Sequence, residues 1–261
     1  MRTISMILLL LMLGLQGCGG NDKRDEDGPS AEELYDRASR ALNAQNYPQA
    51  VRLYRDLTIR YPFGRHAEQA MLDMAFAQYK GGANDAAIES LNRFLRTYPT
   101  HPNVDYAWYL KGLVNYDETM GFLRRMLPGR ASDRDQQAAH QSFRDFQELI
   151  RRHPESRYVA DARQRMVFLR NIMAEYEVQV GEYYERRKAW IAALNRARYV
   201  IENYPGAPAT IDALKLMARA YEKLNMPELA VDTRDVLENS YADLMDDDKR
   251  EGLLSRLWPF D

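Results

Sequence analysis

The 261-residue chain has one cysteine, Cys18. A single thiol cannot close an internal disulfide and is too few for a zinc site. Histidine is also scarce. His66, His101, His140 and His153 fall near expected loops or helix ends and show no H-E-x-x-H spacing. There is no G-x-S-x-G elbow, no P-loop and no dinucleotide-binding glycine motif. Acid pairs such as Asp246-Asp247 sit in a polar tail, where nothing raises a carboxylate pKa. Ser132-Asp133-Arg134-Asp135 looks like a site at first glance, but reads better as a cap leading into a helix over 136–150. Neither charge sign dominates, with 36 basic and 38 acidic residues, so the totals imply no nucleic-acid partner. No catalytic residue, metal ligand or cofactor is expected, and the chain reads as a non-enzyme. Alternating Val/Ile/Thr runs are sparse too, while Ala, Leu, Arg, Glu and Gln are frequent, which favours helix over sheet.

A hydrophobic run long enough to span a bilayer is missing as well. Residues 4–15 are almost wholly apolar, about a dozen positions against the roughly 20 a spanning helix needs. Following the basic start Met1-Arg2-Thr3, that run reads as a secretory signal over 1–17. It closes on Leu15-Gln16-Gly17-Cys18, which resembles the lipobox of bacterial lipoproteins. The resemblance implies cleavage before Cys18 and acylation of its thiol and new amino terminus. Two or more chains give stable anchoring where one does not. By the bacterial sorting pattern, Gly19 after the cysteine implies the outer membrane, with the body on its periplasmic face. Residues 21–29 contain no apolar side chain, so 18–29 reads as lipidated cysteine plus tether, about 15–18 Å long by flexible-chain scaling.

What the sequence does have is a repeated phrase. Tyr61-Pro62 returns as Tyr98-Pro99 and Tyr204-Pro205, with His153-Pro154 as a near copy and Tyr241 as a last copy lacking proline. Twelve residues before each proline position stands a small residue: Ala50, Ala87, Ser142, Ala193 and Ala230. Five before it stands an apolar one: Leu57, Phe94, Leu149, Val200 and Leu237. Proline cannot continue a helix and biases its predecessor away from helical angles, so each phrase ends one. The period fits the 34-residue tetratricopeptide (TPR) repeat of paired antiparallel helices. The expected fold is all-α, a solenoid of about five TPR-like helix pairs over 30–245. Its N-terminal half covers about 30–154, its C-terminal half about 155–245, and a tail follows at 246–261.

Units three and four depart from the period. Gly112 to Ser142 spans 30 residues where the simple repeat has 12, which predicts an insertion near 117–137. Insertions in solenoids map to loops, often on a binding face, and Phe122, Leu123, Met126 and Leu127 suit a docking surface. Residues 158–188 carry no proline and only Gly181, predicting one helix of about 30 residues, with a kink at Gly181 as the alternative. Tyr61-Pro62 is followed by Phe63-Gly64, which the other copies lack. Phe63 is expected to staple onto the next helix, with an aromatic lip for an incoming partner as the alternative. In the tail, the Leu257-Trp258-Phe260 cluster is expected to fold back on the body.

Several longer tracts are similar to the BamD family, lipoproteins of the outer-membrane β-barrel assembly machinery. They are Arg60-Tyr61-Pro62-Phe63-Gly64, Pro99-Thr100-His101-Pro102-Asn103-Val104-Asp105-Tyr106, Ser132-Asp133-Arg134-Asp135, Val167-Phe168-Leu169 and Glu182-Tyr183-Tyr184 followed by Ala189-Trp190. The resemblance covers about 15–242 and stops short of the tail. It implies a non-enzymatic scaffold and substrate receptor that promotes folding and insertion of β-barrel proteins. Its implied partners are the POTRA region of BamA, other Bam lipoproteins, unfolded outer-membrane proteins and, through Cys18, the membrane. It makes Tyr61, Pro62, Phe63, Gly64 and Tyr79 candidates for the substrate groove, and Tyr184, Trp190 and Arg196 candidates for the BamA contact. Two other readings share the helical repeats. A periplasmic TPR adaptor for cell-envelope or cell-wall enzymes leaves the Pro99–Tyr106 tract unexplained, and a cell-wall hydrolase needs an exposed catalytic acid that does not stand out.

Overall fold

A computed structural model describes residues 28–125 and 133–241. The signal segment, Cys18, most of the tether, the centre of the unit-three insertion and the tail lie outside the described residues. The described chain forms five antiparallel helix pairs and no strand. They are α1 (Ala31–Asn43) with α2 (Tyr47–Arg60), α3 (Arg65–Lys80) with α4 (Asn84–Thr97), and α5 (Val104–Arg125) with α6 (Asp133–Arg152). Then come α7 (Val159–Arg186) with α8 (Trp190–Asn203), and α9 (Thr210–Lys223) with α10 (Pro227–Tyr241). The all-α solenoid expected from the repeat is the fold observed.

Local chemistry sets the helix ends. Ser30 Oγ accepts from the Glu33 amide at 3.2 Å while the Ser30 amide donates to Glu33 Oε2 at 3.0 Å, a capping box that starts α1. At the stops, Tyr61, Tyr98 and Tyr204 all take φ −126° with ψ between 53° and 73°. That is the non-helical geometry a following proline imposes. Each still donates its amide to the carbonyl four residues back, at Leu57, Phe94 and Val200. The turn inside a pair is equally regular. Gln45, Gly82, Lys188 and Asn225, each five residues before the small residue, adopt φ between 58° and 80°.

Packing uses the two fixed positions. Ala50, Ala87, Ser142, Ala193 and Ala230 are all fully buried, as are Leu57, Phe94, Leu149 and Val200, with Leu237 nearly so. Across the pair the partner is small again. A Cβ built on Gly112 would stand 2.4 Å from the Phe146 ring of α6, and one on Gly181 would stand 3.3 Å from Arg196 Cβ of α8 and 2.6 Å from Leu216 Cδ2 of α9. The buried Phe146 ring has no room to yield, so glycine is needed at 112, whereas at 181 the shorter contact is the end of a flexible leucine side chain. Ser142 differs from the alanines because its hydroxyl donates to the Gly112 carbonyl at 2.9 Å, which satisfies a buried polar group.

The insertion is built differently from the loop expected. α5 runs on to Arg125, thirteen residues past Gly112, whereas α3 stops at Lys80, five past Ala75. α6 starts at Asp133, nine residues before Ser142. Much of the described part of 117–137 is therefore helix, and no proline between Pro102 and Pro128 interrupts α5. The side chains of Phe122, Leu123, Met126 and Leu127 lie outside the described residues. In unit four, α7 is one 28-residue helix that continues through Gly181, about 42 Å long at 1.5 Å per residue. Its first half packs on unit three, with Phe168 and Tyr116 rings 5.9 Å apart, and its second half packs on α8. One continuous core runs from Tyr116 to Leu216 across it.

The first helices of successive units also touch one another, α1 with α3, α3 with α5 and α7 with α9, while the second helices make no comparable contact. The row of first helices is thus the inner, concave side of the array, the side that solenoids use for binding.

Candidate functional site

The inner row is tied together by tyrosines. Tyr35 donates its hydroxyl to Asp73 Oδ2 at 2.7 Å, Tyr79 to Asp117, and Tyr109 to Asp161 Oδ2 at 2.7 Å. Each bond joins the first helix of one unit to the first helix of the next. Tyr109 and Tyr158 stack at 4.6 Å, and Tyr106 meets Tyr158 at 5.6 Å. Arg165 closes this stretch, bonding Asp161 at 2.6 Å and lying 4.7 Å over the Tyr116 ring. Burial pushes the Asp73 carboxyl up, against hydrogen bonds from Tyr35 and Gln69 that pull it down. Burial first, then the bond to Asp161, raises the Tyr109 phenol to about 12, so its hydroxyl stays a donor at neutral pH. The surface offers aromatic faces, hydroxyls and fixed carboxylates.

Of this row the sequence had pointed only to Tyr79. Tyr35, Tyr106, Tyr109 and Tyr158 were missed, although one clue was present. Tyr35 precedes Asp73, and Tyr79 precedes Asp117, by the same 38 residues. The Pro99–Tyr106 tract supplies the joints behind the row. Asn103 Nδ2 donates to Gln69 Oε1 at 3.0 Å, His101 Nε2 lies 3.8 Å from Glu68, and Ser156 Oγ donates to Asp105 Oδ2 at 2.7 Å. Its residues hold units two, three and four in register.

The Tyr61–Gly64 corner is a separate place. The half-buried Tyr61 packs on the first core cluster and donates its hydroxyl to the Pro29 carbonyl at 3.2 Å. Gly64, at φ 97°, opens α3, a geometry that a side chain would strain. Pro62 is exposed and Phe63 is 89% exposed. The staple expected for Phe63 is therefore not made. Tyr79 lies fifteen residues along α3 from Gly64, about 22 Å at 1.5 Å per residue, so these candidates do not form one site.

In the C-terminal half the structure brings two candidates together. Tyr184 and Arg196 line a surface cleft of about 340 Å³ with Ala192, Asn195 and Tyr199. Trp190 is half-buried at the start of α8. Arg196 Nη1 donates to Glu177 Oε2 at 2.8 Å, and that bond raises the guanidinium pKa. The Arg196 side chain stays 42% exposed and Glu177 only 11%. One nitrogen is thus committed inside the chain while the group still faces solvent. Ile191, Tyr183 and Tyr199 add exposed apolar area around the cleft. Among the described residues there is no cluster of side chains suited to a metal ion, and no helix long and apolar enough to cross a membrane.

Comparison with known proteins gives one family model, YfiO, outer membrane lipoprotein, matching residues 27–237. The outer membrane protein assembly factor BamD of Neisseria gonorrhoeae is 42% identical over 92% of this chain and 90% of its own length. That of Xylella fastidiosa is 40% identical over 91% and 81%. Among solved structures, a thermophilic TPR protein of Thermus thermophilus aligns over 87% of this chain and 99% of that one, with TM-score 0.39 and 13% identity.

Proposed function

The chain belongs to the BamD (YfiO) family of outer membrane lipoproteins, and from that membership we propose that it is an outer-membrane protein assembly factor, acting as a scaffold and substrate receptor without a reaction of its own. The observation that carries the receptor role is the inner tyrosine row, from Tyr35 through Tyr79 and Tyr109 to Tyr158. Its rings can stack on the aromatic end of an unfolded β-barrel chain. The paired carboxylates hold the phenols in fixed orientations, so little side-chain entropy is lost on binding.

The scaffold role falls to the opposite half. The Tyr184–Arg196 cleft and the apolar side chains around it take the POTRA region of BamA, and other Bam lipoproteins bind along the body. Arginine suits that contact because its remaining donors can meet a partner carboxylate in a planar fork that lysine lacks. Acylation of Cys18 holds the whole on the periplasmic face of the outer membrane. Co-purification from detergent-solubilised envelopes tests the reading. A chain recovered without any barrel-assembly partner would sink it.

A further inference from the structure

We infer that the corner between α2 and α3 is a membrane-contact surface, with the bilayer that carries the chain's lipid anchor as its partner. The inference rests on the lipoprotein reading and concerns side chains that lie apart from the inner tyrosine row and the Tyr184–Arg196 cleft. Phe63 is 89% exposed and Ile59 is 71% exposed, the highest values of any large apolar side chain among the described residues. Ile59 lies in the last turn of α2, and Phe63 follows its stop four residues later.

The tether enters the body at this same corner. The Pro29 carbonyl accepts from the Tyr61 hydroxyl, and Gly28 lies so close to Arg60 that a Cβ there would stand 2.6 Å from Nη1. Gly28 is only ten positions on from Cys18. Ten residue steps reach no further than about 33–36 Å at full extension. An acylated Cys18 therefore keeps this corner within about that reach of the lipid surface, while the far end of the array is under no such limit.

Shape and charge favour a bilayer over a peptide. The corner protrudes, and a Cβ built on Gly64 would meet nothing within 4 Å. A bilayer interface accepts an isolated protruding ring with no groove to hold it. Between residues 52 and 68 the chain has four arginines (Arg52, Arg55, Arg60 and Arg65) against two acids, Asp56 and Glu68. The four arginines are exposed, and basic side chains around an apolar tip are attracted to anionic headgroups.

The lone cysteine makes the test clean. With Cys18 acylated, Phe63→Cys gives the full lipidated chain one free thiol for an environment-sensitive dye. Glu202→Cys, on an exposed face of α8, is the control. Both are reconstituted into vesicles of phosphatidylethanolamine and phosphatidylglycerol. The dye at 63 is expected to shift to the blue and to be quenched by spin-labelled acyl chains, and the dye at 202 to respond to neither. In the non-lipidated Cys18→Ser chain, Phe63→Ser should lower partition into the same vesicles roughly tenfold, the factor expected for withdrawing a phenyl ring. Equal access of aqueous iodide to both dyes overturns the inference. So does a dye at 63 that ignores vesicles and shifts only when a peptide ending in an aromatic residue is added. Loss of assembly partners on co-purification counts against the scaffold reading alone, so the two failures are distinguishable.

Discussion

Gly112→Ala measures how closely the helices of the third pair approach. The new methyl group would sit 2.4, 2.6 and 2.9 Å from three carbons of the Phe146 ring, which is fully buried and has no room to swing. Ordinary contact begins near 3.4 Å, so α5 and α6 must part by about 1 Å, or the ring must leave its rotamer. Overpacking of that kind costs about 1–3 kcal/mol. Parting the helices also weakens the 2.9 Å bond from Ser142 to the Gly112 carbonyl, worth about 0.5–1.5 kcal/mol. Against this, alanine gains about 1 kcal/mol of helix propensity over glycine. The balance is a loss of about 1–3 kcal/mol, which for a domain this size lowers Tm by roughly 3–10 °C. Thermal unfolding followed by circular dichroism reads it directly. Trimming the ring should recover part of the loss, so the double variant with Phe146→Leu should fall short of additivity by about 0.5–3 kcal/mol. A single variant as stable as the parent, or more so, would refute the argument, because propensity alone would then be operating.

Arg196→Glu sets a second acid beside Glu177 and should weaken BamA association in pull-downs while leaving helicity intact. Because Glu177 is nearly buried and loses its partner, a stability cost of about 1–3 kcal/mol is expected in denaturant unfolding. Lys188→Gly relieves a left-handed lysine at φ 59° and should raise stability in denaturant unfolding by about 0.5–1 kcal/mol, with Gly82→Ala moving it the other way. Hydrogen bonds from Arg151, then Arg152, hold the Glu148 carboxyl at about 2, below its ordinary 4.5. A depressed acid stabilises the fold above its ordinary value and loses that contribution as pH falls from 4.5 towards 2. Glu148→Gln should therefore flatten the acid limb of the stability profile, by less than about 1 kcal/mol for so exposed a group. Cys18→Ala should release the mature body into the soluble fraction on fractionation of the envelope.

The repeat was legible because close packing leaves a mark at every copy. Only a small residue fits where Ala50, Ala87 and Ala193 sit, and only a stop such as Tyr-Pro ends the helix twelve positions later. The displaced Gly112–Ser142 pair likewise betrayed the insertion, while its helical continuation was hidden behind the usual equation of insertions with loops. Phe63 was misread because a one-dimensional motif carries no direction. An aromatic residue after a break can staple inward or stand in water, and Phe63 does the latter. The inner row escaped for a different reason. Tyr109 finds Asp161 across 52 residues, and the choice of acid depends on how α5 and α7 cross. A tyrosine-rich composition suggested such faces without showing which residues form them.

The 28-residue α7 has a mechanical consequence. Solenoids flex where one repeat slides on the next, and a helix belonging to two repeats at once removes that joint. With unit three packed on its first half and α8 on its second, α7 acts as a splint across the middle of the array. A load at the Tyr184–Arg196 cleft is then carried to the tyrosines around Tyr158 as a tilt of one stiff body, with no bending between them. Bending is left to the junctions where separate small cores meet, at α3 and α5 on the N-terminal side and at α9 beyond the splint.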